Sequence, residues 1–233
     1  MTSPIAAPPH IHALLARLHQ TSLDQEAALK KDKASKRFVS TDADDGPAAF
    51  DALMRDKLIA LDADKCHFAY QLVRAKGATT VVEAGTSFGV STIYLALGVG
   101  RNARDLGEVG RVVATEKEGE KAAVARGYWR ECGEEVEAYV DLREGDLLEM
   151  LREGVEDVDL LLLDIWTPLA LPTLKLVQPK MRPGAVVLTD NTVTAAEGYK
   201  ELLDYLRAPG SGFTNVTLPY EGGLEMSVYY PPQ

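Results

Sequence analysis

The chain has 233 residues, of which 46% are hydrophobic and 26% are charged, values ordinary for a globular protein with a buried core. The formal net charge of -10 argues against a nucleic-acid partner, because binding to phosphates depends on Lys and Arg. No secretory pattern is found, apolar runs such as 160–163 are too short to span a bilayer, and the two cysteines lack metal-ligand spacing. We therefore expect a cytoplasmic protein with free thiols and no membrane contact.

The first 56 residues are predicted to form a helical extension, separate from the core of a domain that covers 57–233. The segment Ser22-Leu23-Asp24-Gln25 fits a capping box at the start of a helix, and 42–47 has the Asp, Gly and Pro of a turn. A further helix is predicted over 63–76, because Gly77 is a favoured residue directly after a helix end. Helices in this position cover a substrate pocket, pair two subunits or simply pack on the domain.

From residue 79 onwards apolar strands alternate with helices, which predicts a parallel sheet covered on both faces and thus a doubly wound α/β fold. The runs 213–218 and 224–230 have no helix between them, so they predict a closing antiparallel hairpin and a seven-stranded mixed sheet. The other predicted strands are 79–84, 111–115, 136–140, 158–164 and 185–189, and the predicted helices are 90–97, 119–132, 146–152, 169–177 and 195–207.

A glycine loop follows the first strand, in the sequence V-V-E-A-G-T-S-F-G-V-S-T over 81–92. Gly85 and Gly89 can adopt backbone angles closed to other residues, and they let a ligand approach the main chain. The loop differs from the G-x-G-x-x-G of dinucleotide enzymes. With Glu83 facing the crevice, it favours a ligand that is cationic or rich in hydroxyl and amino groups. The alternative is that the two glycines only allow close packing of strand and helix.

Acidic or amide side chains stand at the ends of four predicted core strands, where ligands bind in folds of this class. They are Glu83, Glu116, Asp164 and the pair Asp190-Asn191. The carboxylate of Glu116 can accept hydrogen bonds from both hydroxyls of a ribose. Asp146, after the third strand, is either a ligand contact or a plain helix N-cap.

These motifs resemble the class I methyltransferases that use S-adenosylmethionine (SAM), and within them the small-molecule O-methyltransferases related to catechol and caffeoyl-CoA O-methyltransferase. The string E-x-G-T-S-x-G-x-S-T of the loop is similar to their first motif. Three later segments are similar to later motifs of these enzymes: L-L-D-I-W over 162–166, P-G-A-V-V-L-T-D-N over 183–191 and G-L-E over 223–225. The resemblance covers about residues 59–230. It implies SAM contacts from Glu83, Gly85, Thr86, Ser87, Gly89, Ser91, Glu116, Gly145, Asp146, Leu147, Asp164 and Trp166.

The same resemblance implies a divalent metal, Mg²⁺ in these enzymes, because oxygen ligands suit a hard cation. Its ligands would be Asp164, Asp190 and Asn191, and Asp164 would also take part in catalysis. By the same comparison Glu225 would face the acceptor hydroxyl.

The chain departs from the catechol enzyme beside Trp166, where Ile165 replaces a histidine and Thr167 replaces a lysine base. Three explanations stay open. The metal alone acidifies the acceptor, another residue such as His67 takes the proton, or the acceptor is not a catechol.

We therefore expect an enzyme that transfers the methyl group of SAM to a hydroxyl of a small, aromatic acceptor with the help of a divalent metal. The long extension is similar to that of dimeric bacterial and plant members of the family, which implies a homodimer. The alternatives are a metal-independent N- or C-methyltransferase, a nicotinamide-dependent oxidoreductase and a non-catalytic binding protein. The missing G-x-G-x-x-G and the closing hairpin both argue against the oxidoreductase.

Overall fold

A computed structural model of the protein describes residues 3–31 and 56–232. Seven strands form one mixed sheet in the order β3-β2-β1-β4-β5-β7-β6. The first five strands are parallel, and β7 runs antiparallel to both β5 and β6, which confirms the predicted doubly wound sheet with its closing hairpin. The strands are β1 (Thr80–Ala84), β2 (Arg111–Glu116), β3 (Val140–Glu144), β4 (Val158–Leu163), β5 (Met181–Asp190), β6 (Phe213–Leu218) and β7 (Leu224–Tyr229).

Helices cover both faces of this sheet, and α2 and α4 have the predicted bounds. α3 continues well beyond its predicted end at residue 97, because its middle turns are buried all round and carry no polar face to mark them. Among the described residues, no helix is both long and apolar enough to cross a bilayer. The helices are α1 (Pro9–Lys31), α2 (Ala63–Lys76), α3 (Val90–Leu106), α4 (Gly119–Cys132), α5 (Glu134–Glu137), α6 (Leu147–Met150), α7 (Thr167–Val177) and α8 (Lys200–Arg207).

The strand predicted over 136–140 is wrong. Residues Glu134–Glu137 form the short helix α5, and β3 begins only at Val140. Val136 is fully buried in the core, so it gave an apolar signal that belongs to a helix. β3 itself lies at the edge of the sheet and is only partly buried, so its polar sequence V-D-L-R-E carries little strand signal.

Alternating residues of the central strands face two separate cores. Val81, Leu160 and Leu188 pack with the helices α1, α2 and α3 on one face, whereas Val82 and Leu161 pack with α7 and α8 on the other. Side chains two positions further along a strand lie on the same face. This alternation places Glu83, Asp164 and Asp190 on the α2 face of the sheet.

Helix α1 also belongs to the α2 face, because its residues Ile11 and Leu14 are almost completely buried in the same core. The described part of the extension, residues 3–31, is thus not separate from the core. The capping box predicted at Ser22 is wrong, since Ser22 lies inside α1. Its hydroxyl instead accepts a hydrogen bond from the Ala60 N–H at 2.9 Å, and the Gln25 side chain accepts one from the Leu58 N–H at 2.7 Å.

The turn predicted over 42–47 lies outside the described residues. The domain boundary near residue 56 and the homodimer stay predictions. Both cysteines are free, as expected, and both are buried.

Candidate active site

The glycine loop between β1 and α3 is shaped by two close approaches. Gly85 has φ +92°, and a Cβ there would lie 2.2 Å from the carbonyl oxygen of Asp164. Gly89 has φ +73° and lies against the ring of Trp129, whose Nε1 donates to the Gly89 carbonyl at 3.0 Å. The sequence does not identify Trp129 as a site residue, because one apolar residue on a predicted helix gives no sign that it supports a loop 40 residues away.

Glu83 lies beneath this loop and is fully buried. Its carboxylate accepts hydrogen bonds from the hydroxyls of Thr86, Ser91 and Thr92. Burial raises the pKa of Glu83 to about 7, although the three hydroxyl hydrogen bonds oppose this shift. Contrary to the prediction from the sequence, Glu83 therefore does not face the crevice; together with Ser91 it holds the loop from below.

Glu116, at the end of β2, reaches the upper side of the loop. Its two carboxylate oxygens accept from the N–H groups of Ser87 and Glu118, each at 2.8 Å. Ser87 has a positive φ of 50°, a conformation that non-glycine residues adopt rarely and mostly at functional sites. A carboxylate has about four lone-pair sites, so Glu116 keeps acceptor capacity for a ligand that lies on the loop.

The segment after β3 lies next to Glu116, because the Gly145 N–H donates to the Glu116 carbonyl at 3.0 Å. The side chain of Asp146 is exposed and accepts from the Leu148 N–H at 2.8 Å. The N-cap alternative for Asp146 is thus confirmed. Leu147 and Trp166 are half-buried, at the starts of α6 and α7.

Residues 58–61 lie across the loop from Thr86 and Ser87. Together with Asp164 they enclose a cavity of about 20 Å³, which is room for one water molecule. Two N–H groups of this segment donate hydrogen bonds to the Ser22 and Gln25 side chains of α1, which hold the segment in place. The space between residues 58–61 and the loop is thus much smaller than a nucleotide.

The carboxylates at the ends of β4 and β5 share their space with a lysine. The Nζ of Lys65, in the first turn of α2, lies 2.7 Å from Asp190 Oδ1 and 2.9 Å from Asp62 Oδ2. Lys65 is only 1% exposed and Asp190 only 4%. Sequence reasoning missed Lys65, because its partner Asp190 is 125 residues away.

Asp164 differs from Asp190 in that it remains partly open and lines the crevice. Burial raises the pKa of Asp164, the neighbouring carboxylates of Asp190 and Glu83 raise it further, and Lys65 opposes them. Burial likewise raises the pKa of Asp190, against the effect of its hydrogen bond from Lys65.

The predicted metal ligands do not fit a divalent ion. Asp190 Oδ1 is paired with Lys65, and its Oδ2 accepts from the Asn191 amide nitrogen at 2.8 Å. Asn191 therefore turns its NH₂ group, which cannot bind a metal, toward the carboxylate, while its Oδ1 lies near the Thr194 hydroxyl. Across residues 3–31 and 56–232, no three His, Cys, Asp or Glu side chains are placed to hold a metal. The predicted Mg²⁺ site is not formed.

Glu225 lies on the opposite face of the sheet. In the β5–β7 register Leu224 is opposite Asp190 and Glu225 opposite Thr189, so the strand alternation turns Glu225 toward α8. There it is 1% exposed and accepts from Arg207 Nη2 at 2.8 Å and from the Thr217 hydroxyl. The prediction that Glu225 faces the acceptor is corrected by this geometry.

The candidate base His67 lies on α2 beside Tyr94, with 5.8 Å between the ring centroids. Tyr94 in turn bonds to His19 Nε2 of α1 at 2.7 Å. Burial lowers the pKa of both histidines. His67 thus belongs to an aromatic contact between α1, α2 and α3.

Comparison with known proteins agrees with this geometry. A family model described as a methyltransferase domain matches residues 82–192, and among curated proteins none matches the chain. The fold is similar to three solved structures. The O-methyltransferase from Bacillus cereus in complex with SAH is 22% identical, with a TM-score of 0.65, over 87% of this chain and 100% of that one.

The second structure is the O-methyltransferase TomG from Streptomyces achromogenes, involved in tomaymycin synthesis, in complex with SAM. It is 23% identical, with a TM-score of 0.65, over 86% of this chain and 97% of that one. Cofactor-bound Rv0187 from MTB is 26% identical, with the same TM-score of 0.65, over 85% and 96%. Residues 82–192 of this chain thus match a methyltransferase domain, and its fold is similar to that of these solved structures.

Proposed function

We propose that this enzyme transfers the methyl group of SAM to a hydroxyl of a small, aromatic acceptor. The observation that carries the proposal is the position of Glu116 on the glycine loop, 2.8 Å from the Ser87 N–H. An acid at the end of the second strand is placed to accept from ribose hydroxyls. The likeness to O-methyltransferases that hold SAM and SAH supports the same cofactor here.

In this proposal the cofactor lies along the upper side of the loop. The main chain from Gly85 to Gly89 borders its methionine part, Glu116 holds the ribose, and Gly145–Leu147 with Trp166 border the adenine. Glu83 and Ser91 act from below, through the loop. The acidic crevice suits a cofactor that carries a sulfonium and an α-ammonium group, because opposite charges attract strongly where water is excluded.

Methyl transfer requires the acceptor oxygen to lie in line behind the methyl carbon, about 3 Å away. The oxygen then forms the new C–O bond while the C–S electron pair returns to sulfur, which leaves S-adenosylhomocysteine. The acceptor proton must leave as well. Asp164 is the carboxylate at the ends of β4 and β5 that remains open to the crevice, so we assign to it the removal of this proton.

A second cavity supports the acceptor side of the proposal. It lies between α1 and residues 60–64 at the start of α2, and its volume of about 290 Å³ is close to the lower limit of about 300 Å³ for small-molecule pockets. Its lining combines apolar, hydroxyl and acidic side chains: His19, Ser22, Leu23, Glu26, Ala60, Asp62, Ala63 and Asp64. A small aromatic ring with hydroxyl groups matches a lining of this kind.

No step of this mechanism passes through a metal, since Asp190 is paired with the Lys65 ammonium and Asn191 turns its NH₂ group toward Asp190. Metal assistance was part of the sequence expectation, and it has a direct test. If a divalent ion supplied the electrostatic stabilisation, its removal would lower turnover by at least about a hundredfold. The rate of methyl transfer from radiolabelled SAM, measured with and without EDTA, decides whether a divalent ion takes part.

The cofactor is tested by titration calorimetry with SAM and, separately, with NAD. We expect heat of binding from SAM only. Glu116→Gln should weaken SAM binding by about 1–3 kcal/mol, because the ribose hydroxyls lose a charged acceptor. Glu144→Gln is the matched control, since Glu144 pairs with Glu116 across the strand register but is exposed, and it should leave the affinity unchanged. Binding of NAD alone would favour the oxidoreductase.

A further inference from the structure

Lys65 is buried in a manner that lysines almost never show unless they are paired. Its side chain runs from the first turn of α2 onto the end of β5, and the chain covers all but 2% of its surface. The ammonium carries three protons. Two of them have acceptors among the described residues, at 2.7 Å in Asp190 and at 2.9 Å in Asp62.

The two carboxylates differ in their surroundings. The side chain of Asp62 is 43% exposed, whereas that of Asp190 is only 6% exposed. A buried carboxylate without a partner is strongly unfavourable, so Asp190 depends on Lys65 far more than Asp62 does. The pair Lys65–Asp190 is thus the fixed part of the arrangement, and Asp62 connects it to the cavity beside α1.

A divalent ion and this ammonium cannot share the site. Mg²⁺ requires carboxylate oxygens that are free to approach to about 2.1 Å, in a nearly octahedral arrangement. The Lys65 ammonium lies 2.7 Å from Asp190 Oδ1 and fills the space on that side of the carboxylate, while Oδ2 accepts from the Asn191 NH₂ group. A second cation beside Asp190 would in addition be repelled by the Lys65 charge, which neighbouring groups screen poorly in a buried site.

We propose that Lys65 is the built-in cation of this site and takes the place that a divalent metal would otherwise have beside Asp190. The inference rests on the proposed function. Lys65 acts through Asp190 and Asp62, so it is a positioning residue. It neutralises the end of β5 and holds Asp190 at a fixed place beside Asp164 and the acceptor.

The replacement of a metal by Lys65 affects which acceptors the enzyme can methylate. A metal ion binds two neighbouring hydroxyls at once and so selects vicinal diols such as catechols. An ammonium that already donates to two carboxylates has at most one N–H left and cannot chelate. Acceptors with a single hydroxyl should therefore be methylated as well as their vicinal dihydroxy analogues, which agrees with the absence of the lysine base at Thr167.

The decisive experiment titrates Mn²⁺ into the full-length protein in the presence of SAH, followed by calorimetry and by electron paramagnetic resonance of the free ion. We expect no saturable binding to the wild type up to about 10 mM. Lys65→Met should bind Mn²⁺ at least tenfold more tightly than this limit, because Asp190 loses its cation. Lys76→Met is the matched control: Lys76 ends the same helix and donates to the distant Gly184 carbonyl, so it should bind no Mn²⁺.

Saturable Mn²⁺ binding to the wild type that disappears in Asp190→Asn would overturn the proposal, and this measurement does not depend on the folding of Lys65→Met. Absence of Mn²⁺ binding from both the wild type and a folded Lys65→Met would overturn it too, because Lys65 would then replace nothing. Lys65→Arg, which keeps the charge, should remain free of metal. SAH binding in the same samples separates this proposal from the proposed function. A wild type that does not bind SAH would argue against the methyltransferase function alone.

Discussion

At the β1–β2 end of the crevice Glu83 and its hydroxyl partners lie within one short stretch of chain, whereas at the β4–β5 end the decisive contact joins residues 125 positions apart. Glu83 bonds to hydroxyls within nine residues of itself, and Gly85 and Gly89 set the path of the same loop. Asp190, in contrast, is paired by a lysine from a helix that precedes the whole sheet. A motif can describe the contacts of Glu83, but it leaves out Lys65, the side chain that decides the chemistry at the β4–β5 end.

The first prediction concerns the glycine loop at the β1–β2 end of the crevice. Gly85→Ala should lower the free energy of unfolding by about 4 kcal/mol, because it adds overpacking to a positive φ. The new Cβ would lie 2.2 Å from a main-chain oxygen that cannot move aside. SAM binding should be lost as well. Urea denaturation and calorimetry measure the two effects.

Gly107→Ala is the matched control for Gly85→Ala. Gly107 also has a positive φ, +69°, but a Cβ there would meet nothing within 4 Å. Only the conformational part of the effect remains, about 1 kcal/mol, and SAM binding should be unchanged. Equal losses in the two variants would mean that the close approach to Asp164 has no role.

The difference between the two ends also explains how far the sequence predicts this molecule. The sheet and most helices follow from periodicity, and the loop follows from its glycines. The exceptions have physical causes: β3 is a polar edge strand, α5 buries Val136, and the Ser22 hydroxyl accepts a hydrogen bond from the Ala60 N–H. Where partners are distant in sequence, as with Lys65 and Asp190 or Trp129 and Gly89, no local pattern could reveal them.

A second prediction concerns how the stability of the protein depends on pH through Glu83. The folded-state pKa of Glu83 is raised from 4.5 to about 7, so between these values the folded protein binds more protons than the unfolded chain. By linkage, Glu83 makes the wild type less stable as the pH rises through this window. Glu83→Gln cannot titrate. Its free energy of unfolding relative to the wild type should therefore increase by about 2–3 kcal/mol between about pH 5 and pH 8.

Urea denaturation of both proteins across that pH range measures this difference. Glu144→Gln, at the exposed end of β3, serves as the control and should show no such trend. A difference between wild type and Glu83→Gln that stays constant with pH would mean that Glu83 is not buried beneath the loop.

The smallest effect concerns the face of the sheet opposite Lys65. Glu225 is buried, and the Arg207 and Thr217 side chains both donate to it. Glu225→Gln should lower the free energy of unfolding by about 2 kcal/mol, because a charge-assisted hydrogen bond is lost while the shape is kept. The KM for the acceptor should stay the same, since Glu225 faces α8 and not the crevice. Glu221→Gln, at the exposed turn of the same hairpin, should change neither quantity. A rise in KM at unchanged stability would instead place Glu225 at the acceptor, as the G-L-E motif alone suggests, and would mean that the strand alternation does not decide which acids belong to the site.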